Sequence, residues 1–600
     1  MAWYDEAVFY HIYPLGLTGA PKQNSYGEPE HRLNTLIPWI SHIKEIGCSA
    51  IYIGPLFESV GHGYETTDYK KLDSRLGTNE DLTRFVAECH EQGIKVILDG
   101  VFNHTGRDFF AFQDIKKNRE NSQYKDWYCN VNFWGNNSFN DGFSYENWGG
   151  YDLLVKLNQH NPAVKDYICD VIRFWVSEFD IDGIRLDAAD VLDFNYMQAL
   201  RQTANEVKPD FWLMGEVIHG DYTRWVNEGT LHSVTNYNLH KALYSGHNDH
   251  NYFEIAHTVK RLYGMGGNRP DGLKLYNFVD NHDVERIYTK LNNKAHFTPV
   301  HILLYTLPGV PSVYYGSEFG IEGRKERFSD DSLRPMLSLS DYADAVKKNS
   351  FTQLIAALGA VRQNTKALSY GDYNELMLTN RQYAFSRNYN GESVVVTVNN
   401  DDSDFTMNVP VGNAAEYIGA LSGERTSVNG GRITVNVKAN SGEIWVPVSG
   451  DSGNNMQDAG FSGLDVKDAA AEASHVEKKA NEAVEKEAFE EKTPEKKTVQ
   501  AKAAAEKADT TKASQKETAV EASENKESVQ SLSKQSTAPT GGSTTKDAVY
   551  EEAFEKGKIA GLQEAILAIM GKNGPITDQM RKDVMDNVYH DSLINWIKSF

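Results

Sequence analysis

The chain has 600 residues and a formal net charge of −22; it is too long for one hydrophobic core, and too acidic, with no concentrated basic face, to suit nucleic acid or an anionic membrane. Its four cysteines, Cys48, Cys89, Cys129 and Cys169, form no CxxC pair and no zinc-ligand spacing. No run approaches the roughly 20 apolar residues of a membrane helix, and the start MAWYDEAVFYHIYP has no basic region followed by an apolar core, so a cytoplasmic protein with reduced thiols is expected.

Short apolar runs alternate with helical patterns over residues 1–368. Candidate strands are Val8–Tyr13, Ala50–Gly54, Lys95–Asp99, Gly183–Asp187, Phe211–Glu216, Ser233–Asn236, Leu275–Asp280 and Ser312–Tyr315. Between them lie helix-like stretches at Leu36–Ile46, Asn79–Glu91, Pro162–Phe179 and Asn195–Val207, the third opened by Asn161 with Pro162 at the first helical position. This alternation predicts an α/β fold, a (β/α)8 TIM barrel. The rhythm breaks over 104–150, which is rich in Asn, Gly, Trp and Tyr and too long for an ordinary connection. A small inserted subdomain after the third strand is expected there.

Residues 369–449 change to short β-rich runs separated by turn signals such as Asn390–Gly391 and Asn429–Gly430, which predicts an antiparallel β-sandwich. Residues 450–545 are dominated by Ala, Glu, Lys, Ser and Thr; with almost no aromatics they bury too little surface to offset chain entropy, so they read as a disordered linker. Apolar periodicity returns in 546–600, with amphipathic helices predicted at 560–570 and 580–600. This short helical region is either a surface for a protein partner or self-association, or a small self-packed tail.

Side chains at the C-terminal ends of barrel strands converge on one pocket. Strand three ends in DGVFNH (Asp99, Asn103, His104), strand four in GIRLDAAD (Arg185, Asp187), strand five in MGEV (Glu216) and strand seven in FVDNHD (His282, Asp283); strand two leads to Tyr64. A buried salt-bridge network is the structural alternative. Burying several acids is costly without partners, and a single Arg stands among these, which favours a catalytic cluster with split carboxyl pKa values. Glycoside hydrolysis uses such a pair, one carboxylate attacking the anomeric carbon and one carboxyl protonating the leaving oxygen. Arg185 lies two residues before Asp187, on the same strand face, where its cation favours an ionised Asp187. Glu216 follows the apolar run FWLM, which favours the acid role. Exchange of the two roles is the internal alternative.

The segments DGVFNH, GIRLDAAD, GEV and FVDNHD resemble, in order and spacing, the signature regions of the α-amylase superfamily, glycoside hydrolase family 13, and the resemblance covers residues 1–449. It implies Asp187 as nucleophile, Glu216 as acid/base and Asp283 as stabiliser of the transition state. Tyr64, His104, Arg185 and His282 fall where the family holds the sugar at the cleavage subsite; Asp99 is grouped with them as substrate-binding. Arg334, in SLRPM, falls where relatives contact the neighbouring sugar, and His219 is a candidate for an acceptor subsite. Asn103 matches the family's calcium-ligand asparagine, which makes structural calcium a possible cofactor, although the usual His position is Val191 and a structural hydrogen-bonding role is the alternative.

YDLLVKLN and GEVIH are similar to segments of neopullulanases and cyclomaltodextrinases, whereas FVDNHDVERI is closer to true α-amylases. The resemblance therefore implies a retaining hydrolase of α-1,4 bonds in an α-glucan substrate, with starch, maltooligosaccharides, cyclodextrins and pullulan all open. A glucanotransferase, handing the same intermediate to a sugar hydroxyl, is the alternative. A non-catalytic glucan-binding scaffold is disfavoured by the intact trio. Trp127, Trp134 and Trp148 are candidates either for sugar platforms or for core packing.

Overall fold

A strand's side chains alternate between its two faces, and that alternation sorts the apolar residues of the barrel strands into two cores. The computed structural model describes residues 2–448 apart from Asn268, Pro270, Asp271 and Phe328; the expected linker at 450–545 and helical region at 546–600 lie outside the described residues. Eight parallel strands form the central sheet: β1 (Phe9–Ile12), β2 (Ala50–Ile53), β3 (Lys95–Gly100), β4 (Gly183–Leu186), β5 (Trp212–Gly215), β6 (Ser233–Val234), β7 (Tyr276–Phe278) and β8 (Val310–Tyr314). Their order is β6-β5-β4-β3-β2-β1-β8-β7. A parallel bridge from Thr235 to Tyr276 joins the two edges and closes the barrel, reinforced by the Asn236 N–H, which donates to the Tyr276 carbonyl at 2.9 Å.

Phe9, Ala50, Tyr52, Ile97, Trp212, Met214, Tyr276, Phe278 and Val310 fill the barrel interior as one buried cluster. The alternate residues, among them Tyr10, Ile51, Leu98, Ile184 and Leu213, belong to a larger cluster under the surrounding helices. One further step of the inward register brings Asp99 after Ile97, Arg185 after Gly183 and Glu216 after Met214. The packing that fills the barrel thus delivers charged groups to its C-terminal mouth.

The surrounding helices are α1 (Ile37–Glu45), α2 (Asn79–Glu91), α3 (Pro162–Phe179), α4 (Phe194–Val207), α5 (Tyr237–Asn248), α6 (Tyr252–Met265), α7 (Phe297–Thr306) and α8 (Ser350–Asn364). At the start of α3 the Asn161 side chain accepts the Ala163 N–H at 2.9 Å, a standard N-cap with Pro at the first position. The helix buries Val164, Ile168, Ile172, Trp175 and Phe179, a single stripe at helical spacing. By contrast, α7 is buried along its whole length, because it packs between the barrel and the C-terminal sheet.

The chain leaves the barrel after β3. His104–Thr105 pairs antiparallel with Tyr151–Lys156, which pairs in turn with Asn147–Trp148. The small inserted sheet therefore runs past residue 150, through Lys156. Beyond the barrel come β9 (Asn374–Leu378), β10 (Gln382–Tyr389), β11 (Glu392–Asn399), β12 (Phe405–Pro410), β13 (Glu416–Gly419), β14 (Arg425–Ser427), β15 (Arg432–Val437) and β16 (Ser441–Pro447). They form a six-stranded antiparallel sheet, β9-β10-β11-β16-β13-β14, and a two-stranded one, β12-β15, around a shared core that includes Val395, Met407, Ile433 and Trp445. Among the described residues, no helix is long and apolar enough to cross a membrane.

Candidate active site

One guanidinium organises the barrel mouth. Nη1 of Arg185 donates to Asp99 Oδ1 and to Asp187 Oδ1, both at 2.8 Å, and its Nη2 lies 2.9 Å from Glu216 Oε2. Asp99 is further held by the Tyr52 hydroxyl at 2.8 Å and the Tyr64 hydroxyl at 3.1 Å. Little space separates this group from its neighbours: a Cβ on Gly54, at the end of β2, would collide with Asp99. Ala188, immediately after Asp187, takes a left-handed backbone with φ +46°. This is a costly conformation for a residue with a Cβ, and it accompanies an Ala188 N–H that donates to Glu216 Oε2 at 3.0 Å.

The loop after β7 supplies the third carboxylate. Asp283 accepts from Arg334 Nη2 on Oδ1 at 2.9 Å, and its Oδ2 lies 3.1 Å from His282 Nε2. That same nitrogen is 2.5 Å from the Tyr64 hydroxyl, so Tyr64 joins the Asp99 side of the cluster to the Asp283 side. His282 stacks between Tyr13 and Tyr64. His104 lies beside Tyr64, its Nε2 3.2 Å from the Tyr64 carbonyl. Eight of the sequence-predicted residues, Tyr64, Asp99, Arg185, Asp187, Glu216, His282, Asp283 and Arg334, are linked by these contacts, and His104 adjoins them.

Burial pushes both the Asp187 and the Glu216 carboxyls up, against the pull of Arg185. The expected ionised Asp187 is not what burial leaves: Arg185 pulls its carboxyl down, but that one cation is shared among three carboxylates and the net shift is upward. Both acids therefore hold a proton more readily than exposed carboxyls do. Burial holds His282 well below the ordinary histidine range and His104 at about 4; both imidazoles are neutral and present one N–H donor each.

Two further groups were not evident from the motifs. The Tyr237 hydroxyl reaches Glu216 Oε1 at 3.5 Å. Arg286, fully buried, donates to the Tyr315 carbonyl at 2.5 Å, Ser317 Oγ at 3.1 Å and the Leu333 carbonyl at 3.0 Å. It thereby ties the Asp283 loop to the residue before Arg334. The inward register of AIYIG signals Tyr52, but no local pattern signals Arg286.

Other expected residues stand elsewhere. His219 is exposed three residues beyond Glu216 and lies near enough to Asp190 to act on its carboxyl. Asn103 is fully buried; its Oδ1 accepts from Gln159 Nε2 at 3.0 Å and its Nδ2 lies 3.3 Å from His104 Nδ1. Val191, at the other position of interest, is exposed. Calcium needs six to eight converging oxygens, and among the described residues no group of three His, Cys, Asp or Glu side chains is placed to hold a metal. The Asn103 amide, engaged with Gln159 and His104, forms a hydrogen-bonded spacer behind His104. Trp127 packs among Tyr124, Phe110 and Tyr167, Trp134 is almost wholly exposed, and the Trp148 ring lies 5.9 Å from that of His104. A separate cavity of about 700 Å³, lined by residues including Trp39, His42, Met336 and Tyr342, contains none of the clustered acids.

Comparison with known proteins agrees with this geometry. The alpha amylase catalytic-domain profile matches residues 23–369, and the alpha-amylase C-terminal domain profile matches residues 371–445. A cyclomaltodextrinase of Thermoanaerobacter pseudethanolicus is 32% identical, covering 66% of this chain and 71% of its own. Neopullulanase 2 of Thermoactinomyces vulgaris is 30% identical over 74% of this chain and 78% of its own. Among solved structures, the Nostoc punctiforme debranching enzyme superposes with a TM-score of 0.65 at 26% identity, covering 74% of this chain and 99% of that one.

Proposed function

The chain belongs to the alpha-amylase family and is a glycoside hydrolase, and from that premise we propose that it is a retaining enzyme acting on α-1,4-glucosidic bonds of maltooligosaccharides and related glucans. The observation that carries this reading is the pair of carboxyls, Asp187 and Glu216, held by the two terminal nitrogens of Arg185. Carboxyls that share one guanidinium sit close together, and retaining glycosidases use a separation of about 5 Å.

In the first step an Asp187 oxygen attacks the anomeric carbon while Glu216 gives its proton to the glycosidic oxygen. The carbon–oxygen bond breaks, and the sugar is left esterified to Asp187. In the second step water loses a proton to Glu216 and attacks the same carbon, which releases Asp187. Burial raises both carboxyls, so the division of roles follows the family resemblance, and the raised Glu216 is able to carry the proton that the acid must donate. Arg185 stabilises the departing Asp187 carboxylate, and Asp283, held by Arg334 and His282 at the other wall, opposes the positive charge that develops on the sugar. The neutral His282 suits a hydrogen bond to an uncharged substrate, whereas both ring nitrogens of His104 are already engaged, by the Tyr64 carbonyl and the Asn103 amide. The four free thiols support a cytoplasmic location.

The test is a product time course on maltoheptaose, β-cyclodextrin and pullulan beside Asp187→Asn. Short α-configured maltosaccharides from the wild type alone are expected, and the fastest substrate identifies the preferred glucan. Products longer than the substrate would mean transfer. Failure to turn over all three would overturn the proposal.

A further inference from the structure

Two exposed aromatic rings stand on the inserted sheet next to the catalytic cluster, and the steps above give them no role. Trp148 is 38% exposed and Tyr151 is 64% exposed. They pair directly across the hairpin. Between them lie Gly149 and Gly150, with φ of +64° and +83°, the backbone that a two-residue type I′ turn demands. Such a turn matches the twist of its strands, so the two rings are presented from a rigid tip.

The tip is joined to the active site by backbone and by side chains. Tyr151–Lys156 pairs with His104–Thr105, the Trp148 ring lies 5.9 Å from the His104 ring at 32°, and His104 contacts Tyr64, which touches Asp99 and His282. A chain of contacts therefore runs from the clustered carboxyls through Tyr64 and His104 to the Trp148 ring, with Tyr151 paired to it across the hairpin. Exposed apolar rings have a solvation cost that a flat, weakly polar ligand relieves. The C–H faces of a pyranose chain that extends beyond the cleavage site are such a ligand. Glycines at 149 and 150 keep the tip free of side chains that would block it.

We propose that Trp148 and Tyr151 form a remote subsite for an α-glucan chain, which makes the enzyme favour longer substrates over short ones. The proposal rests on the glucan-hydrolase reading and deepens it. Trp148 and Tyr151 bind a sugar unit away from the reacting bond and touch no reacting atom. Their contribution is therefore uniform binding of ground and transition states, visible in KM and absent when the substrate is too short to reach them.

The experiment compares wild type, Trp148→Ala, Trp148→Phe and Tyr151→Ala on maltoheptaose and on p-nitrophenyl α-maltoside, with maltoheptaose affinity measured in an Asp187→Asn background with and without Trp148→Ala. Losing one stacked ring face is expected to lower kcat/KM for maltoheptaose about tenfold, mostly through KM. Activity on the short substrate is expected to stay within about twofold of wild type. Tyr151→Ala shifts the ratio in the same direction, and Trp148→Phe restores most of it. Equal losses on both substrates would mean that Trp148 merely props His104, and would overturn the proposal. An unchanged ratio, including one in which the rings cover a second copy of the chain, would also overturn it. Wild type inert on both substrates but with Trp148-dependent maltoheptaose binding would reject the hydrolase reading and leave the subsite standing.

Discussion

Arg185→Leu removes the cation that Asp99, Asp187 and Glu216 share at 2.8, 2.8 and 2.9 Å. Asp99 and Asp187 are 2% and 8% exposed, so water cannot take over the role of the guanidinium. Removing one partner of a buried ion pair costs about 3–5 kcal/mol. Spread over a barrel of about 370 residues, each contributing about 2 cal/mol/K of unfolding entropy, that is a fall in Tm of about 4–6 °C. The sign of the pH dependence follows from linkage. Burial already raises the Asp187 and Glu216 carboxyls, and losing Arg185 raises them further. A folded state that binds more protons than the unfolded one loses stability as pH climbs from the unfolded carboxyl range near 4 toward the folded value. The Tm deficit against wild type should therefore be larger at pH 7 than at pH 4.5, and activity at pH 7 should fall because Asp187, already raised in the wild type, holds its proton still more tightly. Thermal melts at the two pH values measure this directly. An equal deficit at both, or none, would refute the claim that one cation holds three carboxylates in their working state.

Gly54→Ala places a Cβ against Asp99 and should cost about 1–3 kcal/mol of stability together with most of the activity; retention of wild-type kcat/KM would contradict the close packing. His219→Ala should leave kcat and KM within about twofold of wild type, since His219 is exposed near Asp190; a tenfold loss would restore it to the site. Dialysis against a calcium chelator should change neither Tm nor activity, because both ends of the Asn103 amide are committed to Gln159 and His104. A calcium-dependent Tm would reject that.

The barrel was readable because its signal is local. Alternation alone places Asp99 two residues beyond Ile97, and Arg185 two before Asp187, on the inward face. Helices such as Pro162–Phe179 announce their caps and their buried stripe in sequence. The eighth strand, expected over Ser312–Tyr315, starts two residues earlier, at Val310. There the Val310 N–H donates to the Leu275 carbonyl at 2.8 Å, and Pro311, which has no N–H, pairs opposite Asn277. What sequence does not contain is convergence between distant loops. Arg286 reaches Tyr315 and Leu333 across segments that share no local pattern, and its role appears only when the loops after β7 and β8 meet. The shared guanidinium is the same kind of fact: the motifs provide Asp99, Asp187, Glu216, Asp283 and one arginine, and geometry decides that the first three reach it.

The most direct measurement is the mass of the protein after incubation with a fluorinated α-glucosyl fluoride, whose ester with the enzyme forms faster than water removes it, followed by peptide mapping of the adduct. The account predicts one glycosyl unit per chain, on the peptide containing Asp187, formed by wild type and absent from Asp187→Asn. An adduct on Glu216 would exchange the roles of the two carboxyls. No adduct, together with β-configured initial products from an active enzyme, would contradict the covalent mechanism.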